Sequence, residues 1–282
     1  MNIVEYNNNN NCNDVDIDSW NTSINDDKFI VTNKIIRIFP QLKNNNYYSK
    51  LQIDDESLSF ITIREIADLT SKIICHHLIK YNINPLRTSI VDYTAGVGGN
   101  VLSFGKFFNQ VYAIEIMKNR FDYLQNNINV YGYKNILCIN DSSINFTYNE
   151  LTKINQCIIF IDPPWGGGDY KNVDTIKLKL DNIEIEKIII DILYIFSTNE
   201  VNNLKELTKY SDNLSINSHS PSDTFENKNK FIVLKLPKNY DIEYLYYYIK
   251  NNNIQNYNIS MYIYILNKML IFVCEFINIS LN

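Results

Sequence analysis

A carboxylate, two prolines and a tryptophan follow one another at residues 162–165, directly after an apolar stretch. The Asp162 carboxylate and the Pro163 carbonyl can accept hydrogen bonds from an amine. Proline has a fixed φ angle and no N–H group that would compete with that amine. The ring of Trp165 offers a face on which a nucleobase can stack, which stabilises binding by about 1–3 kcal/mol per base. The pattern predicts a site that orients an exocyclic amine on a flat ring for methylation, and the structural alternative is a loop that only ends a strand.

A second motif lies upstream, where a strand-like segment ends at Asp92 and glycines follow at Gly96, Gly98 and Gly99. Glycine allows the backbone to turn tightly and to approach a ligand closely. Dinucleotide-binding enzymes also place glycines after a strand, but their G-x-G-x-x-G spacing is not met here. The acid at the end of the strand therefore favours a cationic or amine-bearing ligand.

Each of four consecutive predicted strands ends in an acidic residue. These residues are Asp92, Glu115, Asp141 and Asp162. Ligands of open α/β sheets bind at the carboxyl ends of the strands. Glu115 follows Asp92 by roughly 20 positions, the spacing at which an acid meets ribose hydroxyls in nucleotide-binding folds. Asp141 could accept a hydrogen bond from an adenine amine. Any one of these acids is readily explained as a helix cap or turn residue, but all four together with the glycine turn predict a ligand site.

Apolar periodicity predicts strands and helices in alternation around these motifs. Beyond the four strands that end in acids, a fifth strand is predicted at 231–236, and strands at 259–266 and 269–276 joined by two residues predict a tight antiparallel hairpin. Helices are predicted over 62–80, after the glycine turn, over 121–131, over 185–196 and over 242–249. This order of elements is typical of an α/β protein with a mostly parallel sheet.

The two motifs, in this order, resemble those of class I methyltransferases that use S-adenosylmethionine. Within that class the chain is most similar to the RNA cap guanine-N2 methyltransferases, the trimethylguanosine synthases, because other amine methyltransferases more often carry Tyr or Phe after the prolines and lack the two glycines. The likeness covers roughly residues 35–277, with gaps. The residues that carry it are Val91-Asp92, Gly96–Asn100, Ala113–Ile116, Asn126-Asn127, Val130–Gly132, Pro163–Gly167 and Asp169-Tyr170, with weaker matches at Lys50-Leu51, Thr62, Ile66-Ala67, Leu236–Asn239 and Leu266–Lys268.

The resemblance implies a Rossmann-like fold with a seven-stranded, mostly parallel sheet that ends in an antiparallel hairpin. It also implies S-adenosylmethionine as cofactor, 7-methylguanosine-capped RNA as substrate, and no metal. The residues implied to act on the amine are Asp162, Pro163 and Trp165. Those implied to bind the cofactor are Thr62, Asp92, Ala95, Gly96, Gly98, Glu115, Asp141 and Pro163. Those implied to bind the cap are Trp165, Tyr170, Lys238 and Asn239, and for the last three a solvated surface role is the alternative.

The chain departs from the family pattern at several of these positions. Asp162 stands where the family usually has Ser, which adds a negative charge beside a cationic cofactor and a cationic base. Glu115 replaces the usual Asp, Tyr93-Thr94 replaces Phe-Cys in the glycine turn, and Ile63 replaces a Pro that follows Thr. The first of these bears on which amine is methylated.

Composition is consistent with one intracellular domain. The 282 residues are 45% hydrophobic, enough for a large core, and the net charge of −5 argues against broad electrostatic binding to duplex nucleic acid. We expect an Asn-rich disordered tail over 1–28, an N-terminal lobe or lid over 29–60 and a methyltransferase domain over 61–282. No secretion signal or membrane span is predicted, so we expect the protein in the nucleus or cytoplasm, including the cytoplasmic factory of a virus if the source is viral. The resemblance implies a monomer.

Three functions fit the sequence. Methylation of the 2-amine of a 7-methylguanosine cap, giving 2,7-dimethyl- or 2,2,7-trimethylguanosine, follows from the paired motifs. Another nucleic-acid amine methyltransferase, acting on guanine-N2 of structural RNA or on adenine-N6, is the main alternative because of Asp162. A non-catalytic cap-binding module is the third, and the intact acids of the strand ends argue against it.

Overall fold

The apolar stretches that end in acids form the centre of a twisted parallel sheet. The computed structural model describes residues 34–154, 157–197, 229–252 and 257–279, and the backbone of residues 2–5. The strands are β1 (Asn2–Glu5), β2 (Ser89–Asp92), β3 (Gln110–Ile114), β4 (Ile136–Ile139), β5 (Cys157–Ile161), β6 (Lys179–Leu180), β7 (Ile183–Glu184), β8 (Lys230–Pro237), β9 (Tyr257–Ile265) and β10 (Met269–Asn278). The helices are α1 (34–38), α2 (Asp55–Phe60), α3 (Arg64–Lys80), α4 (Val101–Phe107), α5 (Lys118–Tyr131), α6 (Ser143–Asn149), α7 (185–197) and α8 (Ile242–Asn251), and short 3-10 helices cover Asn45–Lys50, Pro85–Arg87, Leu151–Lys153 and Gly167–Asn172.

The main sheet has the strand order β1-β9-β10-β8-β5-β2-β3-β4. Seven of these strands form the predicted arrangement, in which β10 alone runs against its neighbours and forms the predicted hairpin with β9. The Rossmann-like α/β class is therefore confirmed. The structure adds an eighth strand, because β1 pairs in parallel with the outer edge of β9. These four residues belong to the predicted disordered tail, and the rest of that tail lies outside the described residues.

The topology brings the strand-end acids to one edge of the sheet. Strands β2, β3, β4, β5 and β8 run in parallel, so their carboxyl ends lie together. The chain winds outward through β3 and β4 and then returns to the other side of β2 to form β5. Such a reversal opens a crevice between β2 and β5, where ligands of doubly wound sheets bind.

Helices cover both faces of the sheet, and alternate residues of each central strand point to opposite faces. Along β5, Ile159 and Ile161 pack with α6, α7 and α8, whereas Ile158 and Phe160 pack with α3, α4 and α5. All four side chains are fully buried. This burial on both faces explains why β5 reads as an uninterrupted apolar run instead of an alternating one.

The segment before α3 packs on the same face as α3 and α5. Phe39, Tyr48 and Leu51 are buried against that core. The side chain of Asn127, on α5, exchanges two 2.8 Å hydrogen bonds with the backbone N–H and carbonyl of Gln52 and also donates to the Val97 carbonyl. The asparagine therefore ties this segment to the glycine turn.

Candidate active site

The glycine turn after β2 is held by the acid that follows β3. Gly96 and Gly98 have φ angles of 52° and 110°, in the region that favours glycine. The Gly96 N–H donates to Glu115 Oε2 at 2.9 Å, and the Met117 N–H donates to Glu115 Oε1 at 2.7 Å. Burial raises the pKa of Glu115, although both N–H groups oppose that rise. Glu115 therefore stabilises the glycine turn, and each of its carboxylate oxygens keeps a second lone pair for a ligand.

Asp92 is a fully buried carboxylate with one oxygen left over. Its Oδ1 accepts a 2.9 Å hydrogen bond from the Thr94 N–H, whereas Oδ2 is buried with no partner among the described residues. Burial, together with the nearby carboxylates of Asp162 and Glu115, raises the pKa of Asp92 to about 7, and the hydrogen bond from the Thr94 N–H opposes that rise. A buried acceptor without a partner costs about 1–3 kcal/mol or more when charged. A cationic or donor group of a ligand would remove that cost.

Asp162 lies directly after β5 in a polar network that reaches three other elements. Its Oδ2 accepts from Lys235 Nζ at 2.6 Å and from Thr62 Oγ1 at 3.4 Å. The hydroxyl of Thr62 also accepts from Lys235 at 2.9 Å and from Asn100 Nδ2 at 3.1 Å. The Asp162 N–H donates to Thr94 Oγ1 at 2.8 Å, so the same loop contacts the residue that holds Asp92. The network joins the segment before α3, the glycine turn, β5 and β8.

Trp165 is half-buried beside this network. Its ring meets that of Tyr170 edge-on, with 5.3 Å between centroids, and the Lys235 ammonium lies 5.2 Å from its centroid. The buried indole N–H finds no acceptor in the described part of the chain. Gly166 and Gly167 have φ angles of 90° and 74°, so the two glycines provide the sharp turn that follows the tryptophan.

One of the predicted cap-binding residues, Asn239, contacts the loop that follows Trp165. The side-chain amide of Asn239 donates to the carbonyls of Tyr170 and Val173 at 2.8 and 2.7 Å. Asn239 therefore positions this loop, and its amide N–H groups are already engaged. Lys238 is exposed at the end of β8.

Asp141 lies at the same edge of the sheet, after β4. Its Oδ1 accepts from the Ser142 N–H at 2.7 Å and from Asn145 Nδ2 at 3.1 Å. The hydroxyl of Ser142 donates to Asp181, at the tip of the β6–β7 hairpin. The hairpin is thus attached to the loop that carries the predicted adenine ligand.

The structure brings most of the predicted residues together and adds one that sequence reasoning missed. Asp92, Glu115 and Asp162 are close enough for their charges to interact, and Thr62 contacts Asp162. Lys235 is the missed residue. It is the one charged residue within the apolar run 231–236 on a central strand, and such a buried charge requires a partner. Among the described residues, no cluster of three or more His, Cys, Asp or Glu is placed to hold a metal.

Gly99 sets how closely the segment before α3 approaches the glycine turn. A Cβ atom there would lie 2.8 Å from Ile61 Cγ1 and 3.0 Å from the carbonyl oxygen of Thr62. We expect Gly99→Ala to destabilise the protein by about 1–3 kcal/mol, because the backbone at Thr62 must move. Chemical unfolding would measure this. Gly168→Ala is the matched control, since its Cβ would meet nothing within 4 Å, and equal stability of the two variants would contradict this packing.

The fold and the site define a class I methyltransferase. The strand order, the glycine turn and the acids suit S-adenosylmethionine, whose positive charge and amine fit the unpartnered Oδ2 of buried Asp92. The sequence model of the RNA cap guanine-N2 methyltransferase family matches residues 87–280, and the chain belongs to this family. S-adenosylmethionine is its cofactor.

Relatives and similar structures were also found. The "Uncharacterized protein L320" of Acanthamoeba polyphaga mimivirus is 32% identical over 239 residues, which are 79% of this chain and 80% of that protein. The human methyltransferase 10 domain containing protein is 11% identical with a TM-score of 0.45, covering 80% of this chain and 89% of that one. TYW2 of M. jannaschii, solved with AdoMet, is 14% identical with a TM-score of 0.41, covering 82% of this chain and 80% of that one. Within the part of the chain that the structure describes, no helix is long and apolar enough to cross a membrane.

Proposed function

We propose that the protein methylates the exocyclic 2-amine of the 7-methylguanosine cap of RNA, giving 2,7-dimethyl- or 2,2,7-trimethylguanosine. The observation that carries the proposal is that Lys235 contacts both the Asp162 carboxylate and the Trp165 ring, while Asp162 is close enough to Asp92 for their charges to interact. An acceptor and a stacking face for the base are thus linked to the buried acid whose Oδ2 has no partner among the described residues. The family match supports the choice of the cap as the substrate.

The cofactor would be held by the groups at the carboxyl ends of β2, β3 and β4. Asp92 would accept from the amino-acid part, with the backbone of Ala95, Gly96 and Gly98 close to it. Glu115 would take the ribose and Asp141 the adenine, each through lone pairs that its internal hydrogen bonds leave over. Thr62 and Pro163 would line the remaining side. S-adenosylmethionine supplies a methyl group already activated by its sulfonium.

The residues of the substrate side orient the amine. Trp165 would stack on the 7-methylguanine, whose positive charge suits an aromatic face. Asp162 and the Pro163 carbonyl would accept hydrogen bonds from the two N–H groups and favour a more tetrahedral nitrogen. Alignment alone can supply up to ~7–11 kcal/mol of the barrier. The methyl group passes from the sulfonium to the amine nitrogen, and the amine proton leaves after the transfer, so no strong base is required. Asp162 would then act as an orienting acceptor, and Tyr170 and Lys238 would contact the cap phosphates, while Asn239 would hold the loop that carries Tyr170.

Methylation of guanine-N2 in structural RNA or of adenine-N6 is the second candidate. The observation that favours it is the Lys235 ammonium, which lies 5.2 Å from the centroid of the Trp165 ring. A base without a positive charge would stack beside that ammonium with less repulsion. The carboxylate of Asp162 at 2.6 Å offsets this repulsion for a cationic base, which is why the cap remains the first candidate.

Methyl transfer from labelled S-adenosylmethionine tests the proposal. We expect transfer to 7-methyl-GTP or to a 7-methylated dinucleotide cap, and not to GTP, uncapped RNA or DNA. The product mass would show one or two added methyl groups. Equal transfer to methylated and unmethylated caps would contradict cap recognition, and transfer only to uncapped RNA or DNA would establish the second candidate.

Two further properties belong to the proposal. We expect the protein to act as a monomer on capped RNA in the nucleus or cytoplasm. The mimivirus relative supports a viral setting, in which the cytoplasmic factory would be the place of cap modification.

A further inference from the structure

Lys235 is a buried cation near the carboxyl end of a central strand of the sheet. Its side chain is 4% exposed on β8, which lies between β5 and β10. Removing an ammonium from water is costly unless the group is paired and hydrogen-bonded. Lys235 Nζ meets that need with two oxygens, Asp162 Oδ2 at 2.6 Å and Thr62 Oγ1 at 2.9 Å.

These contacts make the two oxygens of Asp162 unequal. Oδ2 is engaged by Lys235 and by the hydroxyl of Thr62, whereas Oδ1 accepts no hydrogen bond from the described residues. The side chain is 16% exposed, so it still faces the open side of the site. The carboxylate is therefore fixed in one orientation with a single oxygen left over.

The same ammonium also contacts the stacking residue. Lys235 Nζ lies 5.2 Å from the centroid of the Trp165 ring, within the range of a cation–π interaction. One buried side chain thus contacts both the acceptor and the aromatic ring.

We propose that Lys235 is a positioning residue of the methyltransferase, holding Asp162 by Oδ2 so that Oδ1 accepts a hydrogen bond from the substrate amine beside the ring of Trp165. The inference rests on the proposed function, since it needs an amine that stacks at Trp165. It assigns the lysine a role through Asp162, not a contact with the reacting atoms.

A purely structural ion pair is a poorer explanation of this geometry. Strands β5 and β8 are already paired along Ile158–Ile161, so they need no side-chain link. Well-packed apolar residues in place of a buried ion pair are often as stabilising or more so. The pair lies at the carboxyl end of the sheet, where the orientation of Asp162 matters for a ligand and not for the core.

Lys235→Met removes the ammonium and keeps the length of the side chain. We expect kcat to fall about 10- to 100-fold, because a misplacement of about 1 Å can cost ~100-fold in rate. The Kd of S-adenosylmethionine and the KM of the acceptor should change less than about threefold. Lys106→Met is the matched control: it breaks a lysine–aspartate pair with Asp68 at 3.1 Å, between α4 and α3, and should leave kcat unchanged.

A double-mutant cycle with Asp162→Asn separates positioning from a structural role. If Lys235 acts through Asp162, the double variant should have the same kcat as Asp162→Asn alone, within about twofold. Multiplied effects on kcat, a parallel loss of cofactor affinity, or a Lys235→Met variant with wild-type kcat would each overturn the inference.

The cycle is run on whichever acceptor the wild-type protein methylates. Transfer only to uncapped RNA or DNA would refute the cap as substrate. The role of Lys235 would then be tested by the same cycle on that acceptor. A wild-type protein that methylates no cap, RNA or DNA would overturn both proposals.

Discussion

Asp92→Asn is expected to weaken cofactor binding strongly and, at the same time, to stabilise the cofactor-free protein at alkaline pH. The amide keeps an oxygen for the Thr94 N–H but presents no anionic oxygen where Oδ2 now lies without a partner. Hydrogen bonds to charged groups contribute about 1.5–3 kcal/mol, so Asp92→Asn should weaken S-adenosylmethionine binding at least ~10- to 100-fold. Titration calorimetry would measure the loss.

The gain in stability follows from the direction of the pKa change. The pKa of Asp92 is raised from 3.8 to about 7 by burial, so the folded state holds this proton more tightly than the unfolded state does. The stability of the wild-type protein should then fall as the pH rises between these two values, by up to about 4 kcal/mol. Asparagine removes this loss. We expect the variant to exceed the wild type by about 1–4 kcal/mol at pH 8 in urea unfolding, and by less at pH 5.

The same carboxylate makes cofactor affinity depend on pH. Below about pH 7 the wild-type site must release a proton before it can bind a cation, so affinity should decrease as the pH falls. Asp92→Asn should lack this dependence. If Asp92→Asn binds the cofactor as tightly as the wild type does, the assignment of Asp92 to the cofactor is refuted. If Asp92→Asn is no more stable than the wild type at pH 8, the charged Asp92 carboxylate does not destabilise the cofactor-free protein.

Trp165→Ala should weaken the binding of the cap and leave the binding of the cofactor nearly intact, the opposite of Asp92→Asn. Loss of the ring removes a stacking contribution of about 1–3 kcal/mol, so the affinity for 7-methyl-GTP should fall by about 5- to 150-fold. Cofactor affinity should stay within about threefold, because Asp92 and Glu115 lie on other strands and keep their hydrogen bonds. Calorimetry with each ligand would test both expectations.

The matched control is Trp165→Phe, which retains an aromatic face against Tyr170 and should retain most of the cap affinity. Equal losses of both ligands in Trp165→Ala would indicate misfolding, and thermal unfolding would identify that case. An unchanged affinity for 7-methyl-GTP would refute the stacking role.

Local sequence patterns were sufficient to predict the strands and turns that carry the site residues. The run that ends at Ile161, the glycines after Asp92 and the two-residue link of the final hairpin are each determined within a few positions of the chain. Parallel pairing then places Asp92 and Asp162 at one edge without further information. This is why the mostly parallel sheet with its antiparallel hairpin, and the strand-end acids at one edge of it, could be predicted from the sequence.

What the sequence could not supply were contacts between distant residues and elements too short for a periodic pattern. Lys235 and Thr62 are 173 positions apart, and nothing local shows that they share a hydrogen bond. Helices α2 and α6 have six and seven residues, and their starts depend on the caps Asp54 and Ser142. The role of Asn239 was also hidden, because its partners are backbone carbonyls of a loop far along the chain.

The outermost strand has a practical consequence for handling the protein. β1 covers the free edge of β9, a nine-residue strand whose other edge is occupied by β10. Unpaired N–H and C=O groups on such an edge are a template for association with another chain. Deleting the first residues as a dispensable Asn-rich leader would expose this edge, so a truncated protein should be more prone to aggregate, and purification tags are better placed at the carboxyl terminus.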